Sequence, residues 1–192
     1  MNNEAGKLNR RSIRLPGYDY SQPGAYFVTI CTQNRACRYG DIIDGKMILN
    51  ANGLIVHVEW QKTAEMRLNV VLDTFVIMPN HIHGILVIKD DIDYGKAKCR
   101  GTMHRASTPM IERFGKPVSN SIPTIIRGFK SAVTHRINAI RQTPGAPIWQ
   151  RNYYEHVIRN EDNLNEIRQY IENNPTKWLE DENHPENIRR KL

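Results

Sequence analysis

Two apolar runs of strand length lie next to each other in this chain, separated only by Pro79 and Asn80. The runs read VVLDTFVIM at residues 70–78 and HIHGILVI at residues 81–88, and β-branched or aromatic residues are frequent in both. A two-residue connection returns the second run along the first, so the pattern predicts two antiparallel strands. This pairing constrains the fold more strongly than any other feature of the sequence.

The second run begins with two histidines, His81 and His83, on either side of Ile82. Side chains alternate along a strand, so both histidines project from one face and Ile82 projects from the other. Two imidazoles on one face can bind a divalent ion when a carboxylate, an amide or water completes the shell. Two incidental histidines near a strand end would have the same spacing, so the pair by itself leaves both interpretations open.

Zinc hydrolases also use a His-x-His pair, but they need further histidine or aspartate ligands at recognisable positions. The chain contains neither HExxH nor CxxC, and a zinc site built from Cys99 and His104 is a weak alternative. None of the other five histidines belongs to a close pair. His81 and His83 are therefore the metal-binding candidates in the sequence.

Turn residues and apolar spacing indicate the remaining elements. Strands are predicted at 24–33, at 37–50 (two short strands about Asp44-Gly45) and within 146–160, and helices at 50–67, 121–141 and 160–175. No internal repeat occurs. The predicted fold class is α+β, a single domain in which helices pack against an antiparallel sheet.

The domain is predicted to span residues 21–178, between a basic N-terminal arm at 1–20 and a charged tail at 179–192. Residues 90–120 are polar, rich in Gly, Ser, Thr and basic residues, and lack periodicity. We expect a mobile loop there, since long loops in compact domains are often functional.

Positive charge is concentrated in two segments of the chain, which has a net charge of +7. Residues 94–136 contain nine lysines or arginines against one acidic residue, and residues 1–14 contain four against one. This distribution favours contact with a polyanion, with a solvated charged surface as the alternative. The candidate phosphate-contacting residues are Arg127 and Lys130 on the helix at 121–141 and Arg10, Arg11 and Arg14 in the arm, for which a disordered basic tail is the alternative.

The remaining composition indicates a cytoplasmic protein. The three cysteines are scattered and odd in number, which does not suggest a disulfide framework. No apolar run approaches the roughly 20 residues of a membrane helix, and the N-terminus lacks the apolar stretch of a signal peptide. We expect no membrane partner and a nucleoid-associated location.

Three segments, FVIMPNHIHGILVI, IIRGFKSAVTHRIN and IWQRNYYEHVIRNEDNLNEIRQYIENNP, occur in this order and at separations that resemble the REP-associated tyrosine transposases. These are single-tyrosine HUH transposases of insertion sequences, named for a His-hydrophobic-His motif that HIH fits. The resemblance covers roughly residues 10–178, and its most specific part is the third segment. It implies a ferredoxin-like or RRM-like HUH endonuclease fold.

HUH enzymes cleave single-stranded DNA with a tyrosine, leaving a 5′-phosphotyrosine and a free 3′-OH. The resemblance therefore implies a transposase in which His81 and His83 hold Mg²⁺ or Mn²⁺, Tyr170 is the nucleophile and Asn174 completes the metal shell. Positions four apart share one helix face, which is compatible with the last two roles. The phosphotyrosine conserves bond energy, so no ATP is expected, and the chain has no GxxxxGK[ST] motif.

The implied substrate is single-stranded DNA with REP-like palindromic hairpins, bound by a monomer or a homodimer. Tyr153 and Tyr154 compete with Tyr170 as nucleophile, or are core or DNA-stacking aromatics. Glu155 and His156 are candidates for supporting the metal ligands or binding DNA, with ordinary polar surface as the alternative. For the whole chain the alternatives are a domesticated, non-catalytic, sequence-specific DNA-binding protein of the same fold and an unrelated metal-dependent hydrolase.

Overall fold

The computed structural model describes Leu15 and residues 17–90 and 118–190. Most of the predicted arm, including Arg10, Arg11 and Arg14, lies outside the described residues. So does nearly all of the loop predicted at 90–120.

The described residues contain six strands and four helices. The strands are β1 (Gly24–Cys31), β2 (Gly40–Ile43), β3 (Lys46–Leu49), β4 (Val70–Ile77), β5 (His81–Ile88) and β6 (Tyr154–Ile158). The helices are α1 (Ala51–Glu65), α2 (Ile122–Arg141), α3 (Glu161–Asn173) and α4 (Pro185–Arg190), with short 3₁₀ turns at Gln33–Arg35 and Trp178–Glu180. None of the helices in this part of the chain is long and apolar enough to cross a bilayer.

Four strands form one antiparallel sheet in the order β4-β5-β1-β6. The predicted β4–β5 hairpin is confirmed, and its connection is closed by the Met78 N–H, which donates to the His81 carbonyl at 2.8 Å. β2 and β3 form a separate hairpin about Asp44 and Gly45, whose φ angles of 50° and 71° are left-handed, as a tight hairpin turn requires. The α+β prediction is therefore confirmed.

The two faces of the sheet carry different layers. On one face α1 and α2 cover the larger core, which includes Ile82 and Leu86 of β5. On the other face α3 packs through Ile171 against a smaller apolar cluster that includes Ile85. Since residues alternate along β5, His81 and His83 lie on the α3 face and Ile82 lies in the larger core, as the strand pattern predicts.

The apolar residues of two helices are only partly buried. In α1, Leu54 and Val58 are exposed, whereas Val56 and Trp60 are fully buried. Ile140, near the C-terminal end of α2, is also exposed. The helices turn their buried faces toward the sheet, and the apolar residues near the margins of those faces remain in contact with solvent.

Three helices begin after a polar residue. Asn50 and Asn160 cap α1 and α3, because their side chains accept hydrogen bonds from the N–H groups of Gly53 and Asn163. Ser121 occupies the cap position of α2, but its hydroxyl donates to the Val118 carbonyl at 2.7 Å. That serine therefore stabilises the approach to the helix and caps no backbone N–H of the first turn.

Gly84 in β5 provides the space for the Trp60 indole. A Cβ atom at this position would lie 2.6 Å from Cζ2 of Trp60 and 3.2 Å from Cβ of Phe75. Both neighbours belong to the larger core. The absence of a side chain at Gly84 is thus what lets α1 pack closely on the sheet.

We expect Gly84→Ala to destabilise the protein by about 1–3 kcal/mol, because the added methyl group overpacks the core. Gly128→Ala is the matched control. A Cβ there would meet only the flexible Arg67 guanidinium, at 3.4 Å, on an exposed part of α2. It should be neutral or stabilise by up to about 1 kcal/mol. Urea denaturation measures both, and equal effects would contradict the packing argument.

An ion pair fastens α3 to β4. β4 contains a bulge in which Asp73 and Thr74 lie opposite one residue of β5. The Arg168 guanidinium donates from Nε to Asp73 Oδ1 at 2.9 Å and from Nη2 to Oδ2 at 2.6 Å. These two bonds lower the pKa of Asp73 to about 2. Burial acts to raise this pKa, and hydrogen bonds from Thr74 lower it further.

Arg168→Ala should raise the pKa of Asp73 toward the ordinary value of about 4, because the main cause of the shift is removed. In the wild type, the stabilisation from Asp73 is complete above about pH 4 and is lost as the pH falls through 2, since a lowered folded-state pKa favours the ionised, folded form. An NMR titration of the Asp73 carboxyl measures this. Arg141→Ala, an exposed arginine of α2, should leave it unchanged.

Candidate active site and metal centre

The two histidines converge on one point. Their Nε2 atoms are 2.9 Å apart, and both side chains are almost fully buried. The other ring nitrogen of each histidine makes a hydrogen bond. His81 Nδ1 lies 2.8 Å from Asn80 Oδ1, and His83 Nδ1 lies 2.8 Å from Thr29 Oγ1. Outer partners of this kind orient imidazoles that bind metal ions.

Asn80 decides which nitrogen of His81 is protonated. Its amide nitrogen donates to the carbonyls of Arg35 and Asn183, at 2.9 and 2.7 Å, so Oδ1 is the atom that faces the imidazole and accepts from Nδ1–H. The His81 Nε2 lone pair is therefore directed into the site, which is the arrangement that a metal ligand needs.

Burial keeps both histidines neutral at physiological pH. It lowers the pKa of His81 to about 3, with a smaller contribution from Arg35. Burial also lowers the pKa of His83 well below its ordinary value; His81 lowers it further and Asp181 opposes the shift. Neutral imidazole is the form that coordinates metal ions, so little proton competition is expected.

Asp181 joins the histidines, although the sequence prediction placed it in a charged tail outside the domain. Its Oδ2 is 3.7 Å from His81 Nε2, and one potential ligand atom from each of the three residues lies within 4.8 Å of the others. The backbone N–H of Asn183 donates to Asp181 Oδ1 at 2.6 Å, which fixes the carboxylate. The described residues thus contain a buried His-His-Asp group able to hold a metal ion.

Aromatic packing holds the segment after α3 against the histidines. Trp178 is buried, and its ring lies 6.0 Å from that of His81 and 4.8 Å from that of His184. Asn183, also buried, is joined to Asn80 by the hydrogen bond already described. The charge pattern of 179–192 contains no sign of this docking; the tryptophan directly before it was the available signal.

Tyr170 projects from α3 to the histidines. Its hydroxyl oxygen is 3.3 Å from His83 Nε2, and the two rings are 5.1 Å apart. The side chain remains 47% exposed, so a substrate can reach it. Burial of the phenol raises its pKa to about 12; Asp181 and Glu182 add to the shift, and a hydrogen bond with Asn174 opposes it.

Asn174 lies one helical turn after Tyr170. Pro175 disfavours a helical conformation at the preceding residue, yet Asn174 has φ −59° and ψ −42°. Its side chain is buried, and among the described residues its Oδ1 has no hydrogen-bond partner. Asn174 lines a cavity of about 540 Å³ together with Tyr170 and Asp181.

The basic candidates on α2 are not at this site. Lys130 points its Nζ at the backbone carbonyls of Gln150, Arg151 and Asn152, at 2.7, 3.4 and 3.1 Å, and burial lowers its pKa to about 8. It secures the chain that leads into β6, and contact with a phosphate would sacrifice these bonds. Arg127 is exposed on α2, in the layer on the opposite face of the sheet from the histidines.

Side chains on and before β6 divide between the two faces. Tyr153 packs against the larger core. Glu155, a candidate for supporting the metal ligands or binding DNA, is buried and also turns away from the histidines, so the sheet separates it from them. Tyr154 and His156 are exposed on the histidine face. His156 Nε2 lies 3.1 Å from Asn163 Oδ1 at the start of α3.

Comparison with known proteins places the chain in a family. It is 41% identical over 178 residues to an uncharacterized protein of Haemophilus influenzae. The alignment covers 93% of this chain and 94% of that protein. No protein-family model matches the chain.

Among solved structures, a REP-associated tyrosine transposase bound to a REP hairpin aligns with a TM-score of 0.54 and 19% identity, over 83% of this chain and 70% of the other. A candidate transposase from Deinococcus radiodurans aligns over 83% of this chain and 97% of its own, with 18% identity. Its TM-score of 0.40 supports no conclusion. The chain therefore belongs to the same family as the Haemophilus influenzae protein, and its fold is that of the REP-associated tyrosine transposase.

Proposed function

We propose that this protein is a metal-dependent HUH transposase that cuts and joins single-stranded DNA through a covalent bond to Tyr170. The observation that carries the proposal is the 3.3 Å distance between the Tyr170 hydroxyl and His83 Nε2. It brings a half-exposed hydroxyl to two buried, neutral imidazoles that could hold a metal ion, and a nucleophile is activated by a metal ion or a base beside it. The shared fold and the HIH and QYIENNP segments support the same conclusion.

The donor set fits a divalent ion such as Mg²⁺ or Mn²⁺. His81 and His83 would contribute Nε2, Asp181 a carboxylate oxygen, and Asn174 the buried Oδ1 that lacks a partner among the described residues. Mixed imidazole and oxygen ligands suit Mn²⁺ well and are compatible with Mg²⁺. When bound there, the ion would withdraw charge from the scissile phosphate and favour attack on it.

The covalent step exchanges one phosphate ester for another. The Tyr170 oxygen forms a bond to phosphorus while the bond from phosphorus to the 3′-oxygen breaks; the tyrosine loses its proton and the leaving 3′-oxygen acquires one. Attack by a 3′-OH on the phosphotyrosine reverses the step and joins strands, so no ATP is consumed. Burial raises the pKa of Tyr170 to about 12, so its hydroxyl is protonated at neutral pH, and a bound divalent ion would favour its ionisation.

Single-stranded DNA with palindromic hairpins is the proposed substrate, and the nucleoid is the proposed location. The support is the concentration of basic residues at 94–136 and the REP hairpin in the solved structure with the same fold. Arg10, Arg11, Arg14 and Arg127 remain candidate phosphate contacts, in a monomer or a homodimer.

Tyr170→Phe should abolish the covalent protein–DNA adduct, with a loss of roughly 10³-fold or more, because it removes the nucleophilic oxygen. The measurement is a denaturing gel of protein incubated with a labelled single-stranded hairpin and Mn²⁺. Tyr153→Phe is the control, since that ring packs against the core, and it should keep the adduct. An adduct that survives Tyr170→Phe would contradict the assignment; DNA binding without any wild-type adduct would indicate a non-catalytic binding protein.

Mn²⁺ should raise the Tm of the wild type by roughly 5–10 °C at a hundredfold excess over its Kd, because an ion that binds only the folded state stabilises it. His81→Ala and His83→Ala should each remove most of this increase, and Asn174→Ala and Asp181→Asn part of it. Differential scanning calorimetry in the absence of DNA measures the effect. His135→Ala, an exposed histidine on α2, should retain the full increase, and an equal loss in that variant would show that Mn²⁺ binds elsewhere.

A further inference from the structure

A row of rings runs from the histidines to the open edge of the sheet. We define this aromatic row as His83 of β5, Phe27 of β1 and Tyr154 of β6. Phe27 stacks on His83 with centroids 5.5 Å apart, and its other neighbours are Tyr154 at 6.2 Å and Tyr170 at 6.1 Å. Phe27 is itself buried, so the row begins in the site and ends at a ring that reaches solvent.

Tyr154 lies where α3 no longer covers the sheet. β6 is an edge strand, and on its histidine face the exposed fraction falls from 45% at Tyr154 to 8% at Ile158, which packs beneath α3. The uncovered end of β6 therefore presents an aromatic surface beside the candidate site. Tyr153, by contrast, turns into the larger core and carries the Lys130 ammonium 5.8 Å above its ring.

The distance from Tyr154 to the nucleophile suits a DNA strand. The rings of Tyr154 and Tyr170 both lie within 6.2 Å of the Phe27 centroid, so they are within about 12 Å of each other. A stacked strand advances about 3.4 Å per nucleotide, so a strand whose phosphate reaches the Tyr170 hydroxyl has bases only a few positions away that can reach Tyr154.

The charge around β6 is compatible with such a strand. Arg151 and Arg159 are exposed, just before and just after β6. Cations therefore occur in sequence on both sides of the Tyr154 ring, and an exposed aromatic ring combined with basic residues is the pattern found in proteins that bind single strands.

We propose that Tyr154 is a stacking site for an unpaired nucleobase close to the scissile phosphate. This inference rests on the proposed function, because it assumes that the strand enters at Tyr170. The site would accept any base, since each base offers a π face to the phenol ring. It explains why a large, half-exposed aromatic residue occupies an edge strand next to the candidate nucleophile.

The test compares two probes, oligo(dT) and an abasic oligonucleotide of the same length and backbone, by fluorescence anisotropy. All proteins carry Tyr170→Phe, so that no strand is cut. Tyr154→Ala and Tyr154→Leu should weaken oligo(dT) binding by roughly 5- to 140-fold and leave abasic binding unchanged, whereas Tyr154→Phe should keep both. Tyr154→Leu retains apolar contact with Phe27, so it separates loss of stacking from loss of packing.

Equal weakening for both probes, or unchanged oligo(dT) binding in Tyr154→Ala, would overturn the inference. Raising the salt concentration provides the opposite pattern, because screening of phosphate contacts weakens binding of both probes alike. The assay is independent of cleavage, so base-dependent binding at Tyr154 without an adduct in the wild type would support the stacking site and refute the proposed activity. Failure of the parent protein to bind either probe would refute both.

Discussion

β5 is hydrogen-bonded on both sides, to β4 and to β1, and the position of the candidate site follows from this double pairing. Burial of Ile82 in the larger core turns His81 and His83 to the α3 face. The β1 register sets Thr29 opposite His83, close enough for its hydroxyl to hold the outer ring nitrogen. A slip of one residue would send both histidines into the core, so sheet packing and the geometry of the candidate metal site depend on the same register.

One stretch, residues 161–183, is distant in sequence from the hairpin and completes the site around it. α3 supplies Tyr170, the turn after it supplies Asn174, and the docked segment supplies Asp181. Burial keeps the imidazoles neutral, and the same burial raises the pKa of the tyrosine. Burial thus keeps the imidazoles in the form that can coordinate a metal ion and disfavours ionisation of the phenol.

The placement of α3 relies on contacts away from the chemistry. Ile171 of α3 is buried against the sheet, and Arg168 joins the helix to the bulge of β4 through Asp73. Because these contacts flank Tyr170 along one helix, they orient the hydroxyl without touching a substrate. Asp73 and Thr74 interrupt the apolar sequence of β4, and the bulge lets the strand remain paired while the Asp73 carboxylate turns to the helix.

The sequence alone determined those features that depend on local periodicity. Alternation along a strand places His81 and His83 on one face, and a spacing of four residues brings Tyr170 and Asn174 to one side of a helix. Tertiary structure alone decided that Asp181 joins the histidines, that Lys130 faces carbonyl groups and that Glu155 turns away. The physical reason is that these outcomes depend on packing between distant segments and on burial, and a local pattern of charges or apolar residues contains no information about either.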